Sequence, residues 1–407
     1  MLLLTHPTGN QFVRALLAHC HTQALDVQFF TTIASRATAG CCSYLPGRWA
    51  KEWLRREYPL PSSQIKTRPW REGVRLLASR FGISNLTRHE SGWASADAVY
   101  QDLDRHVARR LSSTAQPTSL KVVHAYEDGA AHSFSAARQL GIHCSYELPI
   151  AYWETARQLM HEEALRWPEW EPTLQATQDS ETKCARKTQE ANLADVIVCP
   201  SRFVQRSLPP LLQAKSIIAE FGSPPITTET ISLRRADRPL RVLFAGTLTQ
   251  RKGLADLFAA MKLLARKDVE LIVFGSLVAP MKFYRSQYDG FRYETPRPHL
   301  DVLRLMDECD LLALPSILEG RALVQQEALS RGLPLLVTPN AGGEDLVDAG
   351  KTGFLVPIRS PEALAERINW FAEHRQELET MRDYCRYKAI AYSWKNYAEK
   401  IVASWPI

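Results

Sequence analysis

Residues 240–277 read LRVLFAGTLTQRKGLADLFAAMKLLARKDVELIVFGSL. Two continuous apolar runs, 240–248 and 269–277, are capped by glycine, and residues 252–267 between them place apolar side chains at helical spacing. Short apolar strands that alternate with helices are typical of a parallel sheet, because helices cover both of its faces. The stretch therefore predicts a strand–helix–strand unit of an α/β domain.

The same alternation continues through the rest of the C-terminal half. Further apolar runs lie at 309–316, 333–339 and 353–357, and helical patterns lie at 298–309, 323–331 and 360–385. Sheets of this kind bind ligands outside the carboxyl ends of their strands. The residues that directly follow each apolar run are therefore the first candidates for function.

The N-terminal half shows a less regular alternation, which predicts a second α/β domain. Its candidate strands are 1–6, 26–33, 121–126, 142–148 and 194–201, and its candidate helices are 10–21, 49–57, 97–112, 129–140, 151–166 and 180–193.

The length of 407 residues also favours two domains, because one hydrophobic core stops growing well below that size. The Pro/Thr-rich, aperiodic segment 221–239 is the expected linker. We expect an N-terminal domain at 1–220, a C-terminal domain at 240–386 and a final helix at 387–407.

The composition, 45% hydrophobic and 23% charged, is that of an ordinary soluble globular protein. No run approaches the length of a membrane-spanning helix, and MLLLTHPTGN at the start predicts a strand and not a signal peptide. Eight cysteines without metal-ligand spacing predict reduced thiols and no structural zinc. These features predict a cytoplasmic location.

The net charge of +6 is concentrated in residues 47–82, which hold nine Lys/Arg against three acids. Trp49, Trp53 and Trp70 are interleaved with them. Basic residues and tryptophans together suit an anionic membrane surface, which would place the protein peripherally at the inner face of the cytoplasmic membrane. The alternative is a solvated basic face with its tryptophans in the core. Nucleic acid is not expected as a partner, because no recognised binding motif accompanies the charges.

The loop after the first run of the C-terminal half predicts an anion site. Gly246 ends the strand, and Arg251 and Lys252 stand where the next helix opens. Free amide groups and the helix dipole favour anions at such a position, and arginine can bind a diphosphate with two parallel hydrogen bonds. The dipole disfavours cations at an ordinary exposed helix start, so the pair favours phosphate binding.

Two carboxylates, Glu319 and Glu327, lie on either side of the loop-to-helix junction that follows the apolar run 309–316. A continuous helix would separate them by ~12 Å along its axis, beyond the roughly 5–9.5 Å that glycosidase acid pairs require. Two anchors on one long ligand fit better, and a nucleotide sugar is such a ligand. The alternative is two solvated helix acids.

These motifs in this order resemble family four of the retaining glycosyltransferases. The resemblance rests on PSILEG at 315–320, the E-x7-E spacing, NAGGEDLVDAGKTGFLVP at 340–357 and the preceding R-K-G, and it is strong over about 240–360. It implies the GT-B fold, in which two Rossmann-like domains face each other across a cleft and the last helix crosses back to the N-terminal domain.

The resemblance also implies roles for residues of the donor site. Arg251 and Lys252 would hold the diphosphate as leaving group, Glu319 would contact the donor sugar, and Glu327 would bind the ribose. Arg251, Lys252 and Glu319 are thus the catalytic candidates. Further donor contacts are expected from Gly9, Asn10, Gly246, Thr247, Tyr293, Glu294, Thr295, Gly320, Arg321, Ala322, Leu323 and Val324. Thr247 stands where many relatives have arginine, and Arg321 is the candidate that compensates.

The N-terminal half resembles the family more weakly. VVHAYEDG, residues 122–129, resembles a strand end of the H-x-H-E type, with Tyr126 at the second histidine and Glu127 at the acid. Acceptor contacts are therefore expected from His6, His124, Tyr126, Glu127 and Glu147. For His6 and His124 the alternative is a buried histidine bonded to backbone.

The resulting hypothesis is a retaining hexosyl transfer from a nucleotide diphosphate sugar to a glycan or lipid-linked glycan in cell-surface polysaccharide biosynthesis. No metal or cofactor is expected, since the D-x-D match at 102–104 lies inside a helical pattern. Two alternatives remain open: a GT-B-type epimerase or phosphorylase, and a nonenzymatic basic membrane-binding protein.

Overall fold

Two parallel β-sheets organise the protein in its computed structural model, which describes residues 1–35, 56–113, 119–174, 179–226 and 238–407. The N-terminal sheet has the order β3-β2-β1-β4-β5-β6-β7 and the C-terminal sheet the order β10-β9-β8-β11-β12-β13. Both orders reverse beside their first strand, which is the arrangement of a Rossmann fold. The prediction of two Rossmann-like α/β domains is confirmed.

The strands of the N-terminal sheet are β1 (Leu2–Thr5), β2 (Val27–Thr31), β3 (Ile65–Thr67), β4 (Val122–Tyr126), β5 (His143–Glu147), β6 (Val196–Cys199) and β7 (Ser216–Ile218). Those of the C-terminal sheet are β8 (Leu240–Ala245), β9 (Val269–Phe274), β10 (Phe291–Glu294), β11 (Leu311–Leu314), β12 (Leu335–Val337) and β13 (Gly353–Leu355).

Helices cover both faces of each sheet. In the N-terminal half they are α1 (Gln11–Thr22), α2 (Trp70–Arg80), α3 (Ser84–Thr87), α4 (Ala96–Leu111), α5 (Ala131–Gln139), α6 (Trp153–Arg166), α7 (Glu181–Leu193), α8 (Arg202–Ser207) and α9 (Pro210–Gln213). In the C-terminal half they are α10 (Leu254–Leu264), α11 (Met281–Gln287), α12 (His299–Asp307), α13 (Leu323–Ser330), α14 (Pro361–Glu373), α15 (Glu377–Ile390) and α16 (Trp394–Ala403). Short 3-10 helices lie at Ser62–Gln64, Pro168–Thr173, Gln250–Lys252, Pro339–Ala341 and Glu344–Leu346.

The predicted strands are all present, but β3, β7 and β10 were not predicted. They are the outer strands of their sheets, each paired on one side only, and most of their side chains are partly exposed. They therefore lack the continuous apolar run that marks a central strand. The single helical pattern at 360–385 is two helices, α14 and α15, with a break at residues 374–376.

Several sequence predictions fall outside the described residues, in whole or in part. These are the helix 49–57, the tryptophans Trp49 and Trp53, and residues 227–237 of the predicted linker. Within the described ranges no helix has both the length and the apolar character needed to cross a bilayer. The six cysteines of these ranges are buried, and none of them forms a disulfide bond.

The C-terminal helix crosses back to the N-terminal domain, as predicted. Helix α16 packs on α1, and Ile401 and Trp405 join the buried cluster beneath the N-terminal sheet. The hydroxyl of Tyr397 donates to Glu147 Oε1 at 2.6 Å. Helix α16 thus covers part of one face of the N-terminal sheet.

A segment of the N-terminal half also packs into the C-terminal core. Trp170, in the 3-10 helix that follows α6, is fully buried in the cluster formed by the C-terminal domain. Its ring meets Phe283 edge-on at a centroid distance of 5.0 Å. Burying a side chain of this size anchors α6 against the C-terminal domain and fixes one wall of the cleft.

Candidate functional site

The cations predicted to bind phosphate lie together at the carboxyl end of β8. Lys252 extends across Gly246, where a β-carbon would stand 2.8 Å from the lysine Cε, so a side chain at residue 246 would displace it. Gly253 takes a φ of 73° to turn the chain into α10, a conformation that glycine adopts without strain. We refer to Arg251 and Lys252 as the cation pair.

Glu319 lies between the members of the cation pair. Its carboxylate forms an ion pair with Lys252 Nζ, and its Oε1 is 3.1 Å from Arg251 Nη1. Burial would raise the pKa of Glu319, but the charges of Lys252 and Arg251 outweigh that effect and lower the pKa below its usual value. The three groups carry one net positive charge, so the site can accept an anion while Glu319 remains ionised.

The loop after Glu319 lies against the N-terminal domain. A β-carbon on Gly320 would stand 1.7 Å from the Pro149 carbonyl oxygen. Ser201 Oγ donates to the Gly320 carbonyl at 2.6 Å. Only glycine fits this contact, and it brings the start of α13 to the domain boundary. Ala322 precedes α13, and Leu323 and Val324 form its first turn, where amide groups have no partner within the helix.

A cavity of about 700 Å³ lies between the domains and reaches Arg251 and Glu319. From the opposite domain it is lined by Glu127, Trp153, Lys187 and others. Of the residues predicted to bind the acceptor, Glu127 is the one that lines this cavity. The cation pair and a wall of the other domain thus face a common space.

Lys187 is a site residue that sequence reasoning missed. Its Nζ lies 3.3 Å from Glu127 Oε1 and 3.1 Å from Asp179 Oδ2. Burial would lower the pKa of Lys187, but Glu127, Asp128 and Asp179 outweigh it and raise the pKa. Burial raises the pKa of Glu127, and Lys187 opposes this only in part. The sequence signal that could have identified Lys187 is its i,i+4 spacing from Lys183, but the same spacing is common on ordinary solvated helix faces.

One group of side chains at the cavity edge has ligand atoms close enough for a metal. In the described part of the chain, His89, Glu90 and Asp179 each bring one such atom within 4.8 Å of the others. Asp179 already accepts from Lys183 Nζ at 2.8 Å, and Glu90 Oε1 accepts from the Ser180 amide at 2.9 Å. These carboxylates are engaged in hydrogen bonds and ion pairs, so we assign no metal to them.

Glu327 lies on the second turn of α13, and His299 Nε2 is 3.1 Å from its Oε1. Burial raises the pKa of Glu327, and His299 acts in the opposite direction. His299, at the first position of α12, was not predicted as a site residue. In this structure His299 contacts the Glu327 carboxylate, the group that we expected to bind ribose.

The other C-terminal candidates have varied surroundings. Tyr293 donates to the Gly275 carbonyl at 2.9 Å, Glu294 pairs with Arg292 and Arg297, and Thr247 and Thr295 are exposed. The Arg321 guanidinium is buried and forms two hydrogen bonds with Asp345, at 2.8 and 2.9 Å. The Arg321 guanidinium is thus paired with Asp345 in this structure, and its compensation for Thr247 stays a prediction.

The N-terminal glycine loop is held by a histidine. His6 Nδ1 accepts from the amide of Gly9 at 2.8 Å and from that of Thr8 at 3.2 Å. Burial and the neighbouring His124 lower the pKa of His6 to about 3, so its ring is neutral and can accept. Gly9 has a φ of 57°, and Asn10 caps α1 by accepting from the Val13 amide at 3.1 Å. His6 thus shapes the loop that carries Gly9 and Asn10.

The remaining acceptor candidates, His124, Tyr126 and Glu147, form a buried group and do not line the cavity described above. His124 Nδ1 is 2.9 Å from Ser145 Oγ, and its Nε2 is 3.4 Å from Glu147 Oε2. Because Glu147 also accepts from Tyr397, these residues hold the crossing helix in place. Their contact with an acceptor stays a prediction.

A buried polar network stands behind the cation pair and crosses the domain boundary. Gln250 Nε2 donates to Glu163 Oε2 at 2.7 Å and to Asp256 Oδ2 at 2.8 Å, and its Oε1 accepts from the Ala255 amide at 2.9 Å. Arg166 forms two hydrogen bonds with Asp256. Helix α6 therefore contacts the residue that directly precedes Arg251.

Replacing Gln250 by leucine is expected to lower the free energy of unfolding by about 1–3 kcal/mol, since two buried carboxylates lose a donor. Urea denaturation measures this change. Gln158→Leu, on the exposed face of the same α6, is the matched control and should change stability by less than about 0.5 kcal/mol. Equal stability of the two variants would contradict the role given to Gln250.

Comparisons with known proteins agree with this geometry. Residues 226–390 match the family model described as glycosyl transferases group 1. A Salmonella typhimurium protein named as a colanic acid biosynthesis glycosyltransferase is 29% identical over 154 residues, which are 35% of this chain and 38% of that relative. The chain thus matches well under half the length of this curated relative.

Two solved structures share the whole fold. Sucrose-phosphate synthase from Thermosynechococcus elongatus has a TM-score of 0.67 at 16% identity and covers 99% of this chain and 97% of its own. Anabaena HepE, solved with UDP, has a TM-score of 0.63 at 15% identity and covers 99% of this chain and 98% of its own. The protein has the GT-B fold. Its C-terminal region, residues 226–390, is similar to the glycosyl transferases group 1 family, in agreement with the resemblance stated from the motifs.

Proposed function

We propose that the protein is a retaining, metal-independent glycosyltransferase. It moves a hexosyl group from a nucleotide diphosphate sugar to a hydroxyl of a glycan or lipid-linked glycan. The observation that carries the proposal is the meeting of Arg251, Lys252 and Glu319 at the end of β8, beside a cavity whose other wall belongs to the N-terminal domain.

The chemistry follows from the charges at this place. Arg251 and Lys252 bind the diphosphate and offset the negative charge that develops as it leaves. They supply the positive charge that a metal ion would otherwise bring to the phosphates. Glu319 holds the two cations in place and accepts a hydrogen bond from a hydroxyl of the donor sugar. Glu327 accepts hydrogen bonds from the ribose hydroxyls, which replace its contact with His299.

The acceptor enters from the N-terminal side of the cavity. Glu127 and Lys187 line that wall. The Glu127 carboxylate can accept hydrogen bonds from sugar hydroxyls, and the Lys187 ammonium group can donate to them. The leaving phosphate takes the proton of the attacking hydroxyl on the same face of the sugar. This step keeps the anomeric configuration and needs no protein nucleophile.

The biological setting is proposed by similarity. The name of the Salmonella relative refers to colanic acid biosynthesis, and the Anabaena structure contains UDP. We therefore infer a role in surface-polysaccharide assembly with a nucleotide-sugar donor. The enzyme would act at the inner face of the cytoplasmic membrane and contact anionic lipid through residues 47–82.

Calorimetric titration of the pure protein with UDP, GDP and ADP tests the donor site first. We expect one of them to bind with one site per chain, and the matching nucleotide sugars then to be turned over in the presence of EDTA. The anomeric configuration of the product, read by NMR, tests retention. Absence of binding by all three nucleotides would contradict the proposal, and epimer formation without an acceptor would favour a nucleotide-sugar epimerase.

A further inference from the structure

Helix α2 presents an apolar face to solvent. Trp70 and Leu77 lie seven residues apart, and Phe81 follows four residues later, just beyond the end of the helix, so the three share one side. They are 76%, 50% and 72% exposed. We call these three residues the α2 face. A cluster of large exposed apolar side chains is unusual on a soluble protein and marks a contact surface.

The opposite side of α2 is firmly anchored, which fixes the outward orientation of the α2 face. Glu72 is fully buried and accepts from Arg56 and from Arg75, whose Nε lies 2.6 Å from Glu72 Oε2. Ala78 is also buried. The alternative in which the tryptophans of this basic segment lie in the core therefore does not hold for Trp70.

Exposed basic residues accompany the α2 face along the chain. Lys66, Arg80 and Arg88 are exposed, whereas Glu72 is buried, Glu90 is bonded to Ser180, and Asp102 pairs with Arg68 and lies 3.7 Å from Arg71. Trp93 is 51% exposed, and its ring centroid lies 4.6 Å from the guanidinium of Arg71, the residue that directly follows Trp70. Cations beside exposed tryptophans complement a surface whose outer layer is anionic and whose interior is apolar.

We propose that the α2 face inserts into the headgroup region of an anionic lipid bilayer. Tryptophan favours the interface, leucine and phenylalanine enter the acyl boundary, and basic residues are attracted to anionic headgroups. A second copy of this chain fits less well, because a two-fold contact would bring Arg80, which directly precedes Phe81, toward its own counterpart. This inference deepens the proposed membrane contact of residues 47–82 and rests on the proposed function only for its biological purpose.

Vesicle flotation of the full chain tests the proposal. The wild type is expected to bind vesicles of equal parts phosphatidylcholine and phosphatidylglycerol, and more weakly pure phosphatidylcholine. The variant Trp70→Ser/Leu77→Ser/Phe81→Ser should bind at least about tenfold more weakly, since three apolar side chains no longer leave water. The matched control Leu211→Ser/Leu263→Ser/Tyr387→Ser removes apolar side chains that are exposed elsewhere and should bind like the wild type.

Three results would overturn the proposal: a wild type that binds neither vesicle, a variant that binds as tightly as the wild type, or a wild-type dimer that the variant converts to a monomer. The last result would show that a second copy covers the α2 face. Nucleoside diphosphate titration of the same samples separates this inference from the proposed function, because the cation pair lies in the other domain. Thermal unfolding of both variants shows that each is folded.

Discussion

Replacing Lys252 by alanine is expected to lower kcat/KM about a hundredfold to a thousandfold, because a transition-state charge loses one of its two cationic partners. Lys252 and Arg251 are the cations that contact Glu319 in the described structure, and Arg321, the candidate to compensate for Thr247, is bonded to Asp345. Steady-state kinetics with the donor identified by calorimetry measure the effect. Lys262→Ala, an exposed lysine on α10, is the matched control and should behave like the wild type.

The Lys252→Ala change also removes the closest partner of a buried carboxylate, which by itself lowers stability. A second variant, Lys252→Met/Glu319→Gln, removes both charges and should recover much of the lost stability without recovering turnover. If turnover returned together with the melting temperature, Lys252 would be a structural residue, and its proposed contact with the diphosphate would be wrong.

Gly320→Ala is expected to reduce turnover at least about a hundredfold, because a displacement of about 1 Å in a catalytic loop costs that much. The new β-carbon would lie 1.7 Å from the Pro149 carbonyl oxygen. Its nearest neighbours are all backbone atoms of Pro149 and Ile150, so the clash cannot be relieved by rotating a side chain. The loop must then retreat from the N-terminal domain. The free energy of unfolding should fall by about 1–3 kcal/mol, as in other overpacked sites.

The matched control for this prediction is Gly73→Ala in α2, where a β-carbon would meet no atom within 4 Å. Alanine has the higher helix propensity, so this variant should gain about 0.5–1 kcal/mol and keep full turnover. Urea denaturation and steady-state kinetics of the two variants decide the matter. Wild-type turnover in Gly320→Ala would show that the close approach of the two domains is not needed for function.

Local sequence was sufficient for the features that depend on neighbouring residues. The apolar runs predicted the central strands because a buried parallel strand is apolar on both faces. The cation pair and Gly246 could be predicted because they follow one strand within seven residues. Glu319 and its glycine follow another strand of the same sheet, and parallel strands end at the same edge.

The parts that were not predicted depend on long-range contacts. The burial of Trp170 in the C-terminal core and the pairing of Arg321 with Asp345 join segments whose sequences give no sign of each other. On β4 and β5, every strand residue except the first of β5 is buried, so the sequence could not show which side chains face the cleft. For that reason His124 and Glu147 were grouped with Glu127, which alone among them lines the cavity.

The central claim is that Arg251 and Lys252 bind a diphosphate while Glu319 and Glu327 bind the groups on either side of it. A crystal structure with the nucleoside diphosphate that binds best in calorimetry tests this most directly. We expect the diphosphate against both cations and the ribose hydroxyls on Glu327, with His299 displaced. A nucleotide bound elsewhere, or one bound at β8 with Glu319 and Glu327 both turned toward solvent, would contradict the claim.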